Sequence, residues 1–113
     1  MIDLHSHILP GLDDGAADLV ESLALARSAV ADGIRVVAAT PHVREDYPTS
    51  ADAMERGVRE LRLALEEEAI QLELLTGGEI ALDALGSLSA DERRRFGLGG
   101  NPGYLLLKTP YFG

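Results

Sequence analysis

The chain contains no cysteine and no long apolar run. The missing cysteine excludes disulfides and thiolate metal ligands. A membrane-spanning helix needs roughly 20 consecutive apolar residues, so we expect no membrane span. The N-terminus also lacks the basic and apolar regions of a signal peptide, which favours a cytoplasmic protein.

Positive charge is scarce as well. The 113 residues carry a formal net charge of −9, and the one basic cluster is Arg93-Arg94-Arg95. Nucleic-acid-binding proteins normally present a basic stripe, so no nucleic-acid partner is expected. The arginine run is typical of a solvated surface, and its functional alternative is capture of an anionic substrate.

Apolar residues are plentiful, at 46% of the sequence, which is enough for a packed core. The length corresponds to one domain or part of one, covering residues 1–113. Four apolar segments predict strands, at residues 2–5, 34–39, 70–76 and 104–107. Helical patterns lie between them, which predicts an α/β fold with about four parallel strands and right-handed crossovers.

Helix boundaries are marked by capping residues. Asp18 and Glu21 fit a capping box, and Gly33 lies where the first helix should end. Thr49 or Ser50 should begin the second helix, whose helical spacing predicts a buried stripe of Met54, Val58, Leu61 and Leu65. A short helix is predicted near residues 82–88, with loops over 43–50 and 89–102.

Two histidines near the N-terminus are the strongest chemical signal. His5 and His7 are two residues apart, so on an extended strand both side chains point to one face. Asp13-Asp14-Gly15 follows shortly afterwards. Imidazole suits zinc, iron, copper and nickel, and added carboxylates widen the choice toward manganese and magnesium.

Further metal-ligand types follow the next two predicted strands. His42 comes after the second strand and Glu79 after the third. The carboxyl ends of parallel strands meet at one rim, so these side chains should lie near His5 and His7. Taken singly, each of these features has an ordinary structural explanation. A histidine near a strand end is often a hydrogen-bonded structural residue, Asp13-Asp14-Gly15 can be a plain turn, and Glu79 can be a carboxylate at the start of a helix. Their shared placement after strand ends favours a metal site.

Four segments resemble one protein family in order and spacing: Met1–Ile8, Asp13–Gly15, Ala39–His42 and Gly78–Ile80. The chain resembles the PHP superfamily, named for polymerase and histidinol phosphatase. Within it, the chain is most similar to the bacterial manganese-dependent tyrosine-protein phosphatases linked to capsule and exopolysaccharide synthesis. The resemblance implies a distorted (β/α) barrel with up to three metals, and it implies the metal ligands His5, His7, Asp14, His42 and Glu79. Asp13 does not occupy a ligand position in that pattern.

The chain departs from the family at two points. Lys108 stands where the family has a glutamate ligand at the end of the fourth strand. A complete barrel usually needs at least about 200 residues. The length therefore predicts the N-terminal half of such a barrel: a fragment, a truncated product, or a unit completed by another copy in a homo-oligomer.

The resemblance implies metal-dependent hydrolysis of phosphomonoesters, with a phosphotyrosine protein as substrate and manganese as the expected cofactor; zinc, iron and cobalt are the other candidates. A small phosphomonoester such as histidinol phosphate is the alternative substrate. Lys108 and the short length favour another alternative, a non-catalytic module that binds metal weakly or self-associates.

Overall fold

The structure is a computed structural model that describes residues 1–44, 47–101 and 103–108, with only the backbone described for Tyr47 and Lys108. Within these residues, seven short strands form two sheets. The strands are β1 (Ile2–Asp3), β2 (Val36–Ala38), β3 (His42–Arg44), β4 (Tyr47–Pro48), β5 (Glu73–Leu75), β6 (Glu79–Ala81) and β7 (Leu106–Lys108). None of the helices in this described part is long and apolar enough to cross a membrane.

The first sheet has the order β1-β2-β5 and is parallel throughout. The second has the order β4-β3-β6-β7, in which β3, β6 and β7 run parallel and β4 pairs antiparallel with β3. The predicted α/β class and the parallel pairing are therefore confirmed. The antiparallel β4 was not predicted.

Two of the predicted strands continue beyond the ends that the sequence suggested. After β2, residues 39–41 leave the regular ladder and the chain resumes as β3. The interruption stays hydrogen-bonded, because the Thr40 N–H donates to Ser6 O at 2.8 Å and the Glu79 N–H donates to Pro41 O at 2.9 Å. β5 is followed in the same way by β6. The predicted loop over 43–50 is therefore wrong for residues 43, 44, 47 and 48, while residues 45 and 46 lie outside the described residues.

Helix α1 spans Leu19–Ala31 and α2 spans Ala51–Glu67. Asp18 caps α1 by accepting the Glu21 N–H, and Ser50 caps α2. The capping box at Asp18 is only half formed, because the Glu21 side chain accepts the Ala17 N–H instead. Gly33 has a φ of +84°, a conformation that favours glycine after a helix end, as predicted.

A third helix, α3 (Ala90–Phe96), occupies part of the predicted loop over 89–102, of which residue 102 lies outside the described residues. Ser89 and Glu92 form a complete capping box at its start. Two 3-10 helices flank α3, over Leu82–Ser87 and Leu98–Gly100, and the first was predicted.

One hydrophobic core joins these layers. The buried stripe of α2 contains Met54, Val58, Leu61 and Leu65, as its spacing predicted. It packs with strand residues and with the segment after His7, which buries Ile8 and Leu9. The core therefore fixes the polypeptide directly after His7, at the C-terminal end of the His5–His7 segment.

Candidate metal centre

The five residues predicted as metal ligands lie together, at the junction between the two sheets. His42 and Glu79 are register partners on the neighbouring parallel strands β3 and β6. Both residues were predicted to follow the end of a strand. Each is instead the first residue of a strand, β3 or β6, because the predicted strand resumes after a short interruption. His7 follows β1, as predicted, and His5 follows it too, because β1 ends at Asp3 and not at residue 5.

The polypeptide around His7 is held from both sides. The Ser6 hydroxyl donates to Ala38 O at 2.7 Å, and the Ser6 N–H donates to the Thr40 hydroxyl at 2.9 Å. On the other side of His7, Ile8 is buried, and the Ser22 hydroxyl of α1 donates to its carbonyl. These contacts therefore fix the backbone of His7, from which the imidazole extends into the cluster.

Glu79 is the centre of the cluster. Its Oε2 lies 3.2 Å from His5 Nε2, 3.1 Å from His7 Nε2 and 3.1 Å from His42 Nδ1. Its side chain is only 6% exposed. Three imidazole nitrogens thus converge on one buried carboxylate oxygen.

Asp14 extends the cluster on the other side of His42. Its Oδ1 lies 3.1 Å from His42 Nε2, so the His42 ring bridges Asp14 and Glu79. The rings of His7 and His42 stack with centroids 4.3 Å apart. Asp14 and His5 are about half exposed, whereas His42 and Glu79 are buried. The cluster therefore has a buried floor and an open rim.

Two overlapping groups of donor atoms satisfy the spacing of a metal site. The donor atoms of His5, His7 and Glu79 lie within 4.8 Å of one another, and so do those of His7, Asp13, Asp14 and His42. Metal–ligand bonds of about 2.1 Å place neighbouring ligand atoms roughly 3.0–3.4 Å apart. The measured separations of 3.1–3.2 Å fall in that range, and the donor set of imidazoles and carboxylates suits a divalent cation.

Asp13 belongs to the cluster but plays a different part from the other carboxylates. Its Oδ2 lies 2.8 Å from His7 Nδ1 and accepts the His42 N–H at 2.9 Å, while Oδ1 accepts the Gly15 N–H. Burial alone raises the pKa of the Asp13 carboxyl, but the hydrogen bonds from the His42 and Gly15 backbone, and then from His7, bring it below its ordinary value. Sequence reasoning missed these contacts, because only the conformation of the turn shows where the carboxylate points.

Gly15 makes the turn possible. A Cβ atom at Gly15 would lie 2.2 Å from His7 O and 2.4 Å from His7 Cβ. The Asp-Asp-Gly turn can therefore approach His7 only when its third residue has no side chain.

The arginine run belongs to the packing of α3 and not to this site. Arg95 pairs with Asp52 and Glu55 on α2 and with Asp91 on α3. Arg94 pairs with Asp91, and Arg93 donates to Leu85 O. These contacts support the structural reading of the run.

Comparison with known proteins agrees with the geometry. Residues 1–107 match the family model described as capsular polysaccharide synthesis, CpsB/CapC. Tyrosine-protein phosphatase YwqE of Bacillus subtilis is 39% identical over 113 residues, covering 98% of this chain and 44% of the relative. Tyrosine-protein phosphatase CpsB of Streptococcus pneumoniae is 35% identical over 95 residues, covering 81% of this chain and 39% of the relative.

A solved structure gives the same result. Crystal structures of YwqE from Bacillus subtilis and CpsB from Streptococcus pneumoniae are described as those of unique metal-dependent tyrosine phosphatases. The matching chain has a TM-score of 0.85 and 36% identity, over 98% of this chain and 45% of that chain. The chain therefore spans less than half the length of these relatives. On the evidence of sequence and fold together, the chain belongs to the CpsB/CapC family of capsular polysaccharide synthesis proteins.

Proposed function

We propose that His5, His7, Asp14, His42 and Glu79 bind divalent metal ions, with manganese as the first candidate, and that the site hydrolyses phosphate monoesters of phosphotyrosine proteins. The observation that carries the proposal is the convergence of three imidazole nitrogens on Glu79 Oε2 at 3.1–3.2 Å. The phosphotyrosine preference is taken from the relatives, which are named tyrosine-protein phosphatases.

The charge of the chain also supports bound cations. A net charge of −9 repels an anionic phosphate ester. Cations at the cluster would offset that repulsion where the substrate has to approach. His5 and Asp14 are the half-exposed members, so a phosphate would reach the site from their side.

A bound divalent ion supplies a Lewis acid that lowers the pKa of water and stabilises negative charge on phosphate oxygens. The protein's own contribution is to hold the ligands. Glu79 and His42 form the buried floor, where water is scarce and electrostatic interactions are strong. Asp13 fixes the ring of His7 from behind. No cysteine nucleophile is needed for this chemistry, which agrees with the absence of cysteine from the sequence.

We further propose that the two sheets form the N-terminal half of the distorted (β/α) barrel of the PHP superfamily. The parallel pairings and the placement of the site at the strand junction support this assignment. A cytoplasmic location remains our expectation for a protein of this type.

Metal binding is tested by titration calorimetry of the metal-free chain with manganese and with zinc. Glu79→Gln should weaken binding, and Glu73→Gln is the matched control, because Glu73 is an exposed carboxylate on β5. Equal affinities for the wild type and Glu79→Gln would contradict the assignment.

Activity is tested with a phosphotyrosine peptide and with histidinol phosphate, each in manganese and in a chelator. We expect metal-dependent release of phosphate from the peptide in preference to histidinol phosphate. The reverse preference would favour the small-molecule alternative. Metal binding without turnover of either substrate would favour the non-catalytic alternative, to which Lys108 already points.

A further inference from the structure

Both carboxylate oxygens of Asp13 accept backbone hydrogen bonds. Oδ1 accepts the Gly15 N–H and Oδ2 accepts the His42 N–H, both at 2.9 Å. The side chain is only 1% exposed. Asp13 is therefore already committed to protein donors, unlike the half-exposed Asp14 beside it.

The same Oδ2 lies 2.8 Å from His7 Nδ1. A carboxylate oxygen is an acceptor, and a neutral imidazole has one N–H, so His7 can donate to only one of its two carboxylate neighbours. The Nδ1–Asp13 contact is the shorter of the two, 2.8 Å against 3.1 Å for Nε2–Glu79, which favours the proton on Nδ1. In a neutral ring the lone pair is then on Nε2, the atom that lies 3.1 Å from Glu79 Oε2. A lone pair facing a carboxylate oxygen is unfavourable until a cation lies between the two.

We propose that Asp13 is a positioning residue that fixes His7 in the Nδ1–H tautomer and so presents the Nε2 lone pair to the metal position. The inference rests on the proposed function, because it concerns the same site. Asp13 therefore acts through His7 and is not itself a metal ligand, although its atoms lie within ligand distance of the others. Outer-shell carboxylates of this kind commonly set the tautomer of ligating histidines.

The backbone bonds of Asp13 explain why a carboxylate is needed. An asparagine has one acceptor oxygen and one donor nitrogen. The Gly15 N–H and the His42 N–H donate to different oxygens of Asp13. In an Asp13→Asn variant the amide NH₂ would replace one of these oxygens, so one backbone N–H would face another donor. With the amide nitrogen toward His7, the ring would have to accept on Nδ1 and carry its proton on Nε2.

The tautomer can be read directly in the metal-free protein. The chain has three histidines, all in this cluster, so nitrogen-15 spectra contain only three imidazole rings. Nitrogen-15 shifts of the two ring nitrogens distinguish a doubly protonated imidazole from either neutral tautomer, so spectra recorded over a series of alkaline pH values identify the tautomer of the neutral ring. The His7→Gln variant assigns the His7 signals.

We expect the wild-type His7 ring to carry its proton on Nδ1. In Asp13→Asn the proton should move partly or wholly to Nε2, and manganese affinity should fall roughly 10- to 100-fold. Asp3→Asn is the matched control, because the Asp3 carboxylate accepts the His5 backbone N–H and, among the residues that the structure describes, has no contact with an imidazole nitrogen. It should leave the His7 tautomer unchanged.

A wild-type His7 ring protonated on Nε2 would overturn the inference, even if Asp13→Asn failed to fold. An unchanged His7 tautomer, or an unchanged manganese affinity, in a folded Asp13→Asn variant would also overturn it. If the wild type binds no metal but keeps the Nδ1 proton, the proposed function fails while the role of Asp13 in fixing the ring stands. A purely structural role would lower stability without moving the tautomer.

Discussion

Glu79 illustrates a conflict between stability and binding at the scale of a single residue. Its carboxylate is buried in a cluster that also contains Asp13 and Asp14, in a chain of net charge −9, so the negative charges repel one another when no cation is bound. In Glu79→Gln the same volume is filled by a neutral group. We therefore expect the metal-free variant to melt at the same temperature as the wild type, or higher.

The same substitution should have the opposite effect once manganese is added. Substitution of a residue that only supports a metal ligand lowers metal affinity roughly 10- to 100-fold. Because Glu79 is proposed to contact the metal itself, Glu79→Gln should lower manganese affinity by more than that. Ligand at 100 times its Kd stabilises a fold by about 2.7 kcal/mol, so manganese should raise the Tm of the wild type but not of Glu79→Gln. Thermal melts with and without manganese check both statements, and a Glu79→Gln variant that gains as much as the wild type would contradict them.

Gly15 gives a second prediction for a single residue. In Gly15→Ala the new methyl group would collide with the His7 backbone and Cβ, so the Asp-Asp-Gly turn must move away. Overpacking of this kind costs about 1–3 kcal/mol in the free energy of unfolding, and displacement of Asp13 and Asp14 should weaken manganese binding as well.

Gly86→Ala is the control for that experiment, because a Cβ at Gly86 meets nothing within 4 Å. Denaturant unfolding and calorimetry should show little change for Gly86→Ala. Equal effects of the two substitutions would mean that the close approach of the turn to His7 is unimportant.

Among the secondary-structure elements, the sequence predicted those with strong local signals. The caps at Asp18 and Ser50 and the buried stripe of α2 agree with the structure, because capping and helical spacing are local properties. α3 was missed although Ser89 and Glu92 form a complete capping box, because its three consecutive arginines and flanking glycines look like a polar loop.

The strand interruptions could not be read from the sequence. Residues 39–41 and 76–78 lie between paired strands, and only the partner strands show that the ladder resumes at His42 and Glu79. The grouping of the five candidate ligands was still predicted, because the residues that follow parallel strands lie at the same edge of the sheet. The tautomer set by Asp13 was not predicted, since it depends on the turn conformation.

α3 is tied to α2 by charge, which gives a prediction about pH. Hydrogen bonds from Arg95 lower the pKa of Asp52 and Glu55, and Arg94 followed by Arg95 lowers the pKa of Asp91. A carboxyl whose pKa is lowered by folding stabilises the protein above its ordinary pKa, and this contribution is lost as the pH falls through the lowered value. Arg95→Met should therefore have a lower Tm than the wild type at neutral pH. The difference in Tm between the two proteins should become smaller below about pH 4, near the ordinary carboxyl pKa.

Arg94→Met is the matched comparison, because the Arg94 side chain is 60% exposed and pairs with Asp91 on its own helix. Exposed pairs contribute little, so its Tm should stay near that of the wild type. If the Tm difference between Arg95→Met and the wild type stays constant from pH 7 to about pH 2.5, the effect comes from packing and not from ion pairing.

At the scale of the whole molecule, the acidic charge favours cation binding, and Lys108 is expected to oppose it. Lys108 is the only lysine in the chain and lies in β7, where its backbone pairs with Ala81 of β6. β6 also carries Glu79, so the register places Lys108 on the strand next to the candidate ligand. From the family pattern we predict that its side chain lies at the same rim as the candidate ligands, a position outside what the structure describes.

A cation near this site should weaken binding of a further divalent ion. Two unit charges 4 Å apart repel by about 4 kcal/mol at an effective dielectric near 20, and every 1.4 kcal/mol corresponds to tenfold in affinity. Lys108→Glu removes the repulsion and restores the carboxylate implied by the family pattern, so manganese affinity should rise by at least about tenfold. Lys108→Gln, which removes the charge without adding a strong ligand, should fall between the two. Titration calorimetry of all three forms separates repulsion from ligation. Equal manganese affinities of Lys108→Gln and Lys108→Glu would assign the whole effect to removal of the positive charge. A wild-type affinity as high as that of Lys108→Glu would mean that Lys108 does not act on the metal position.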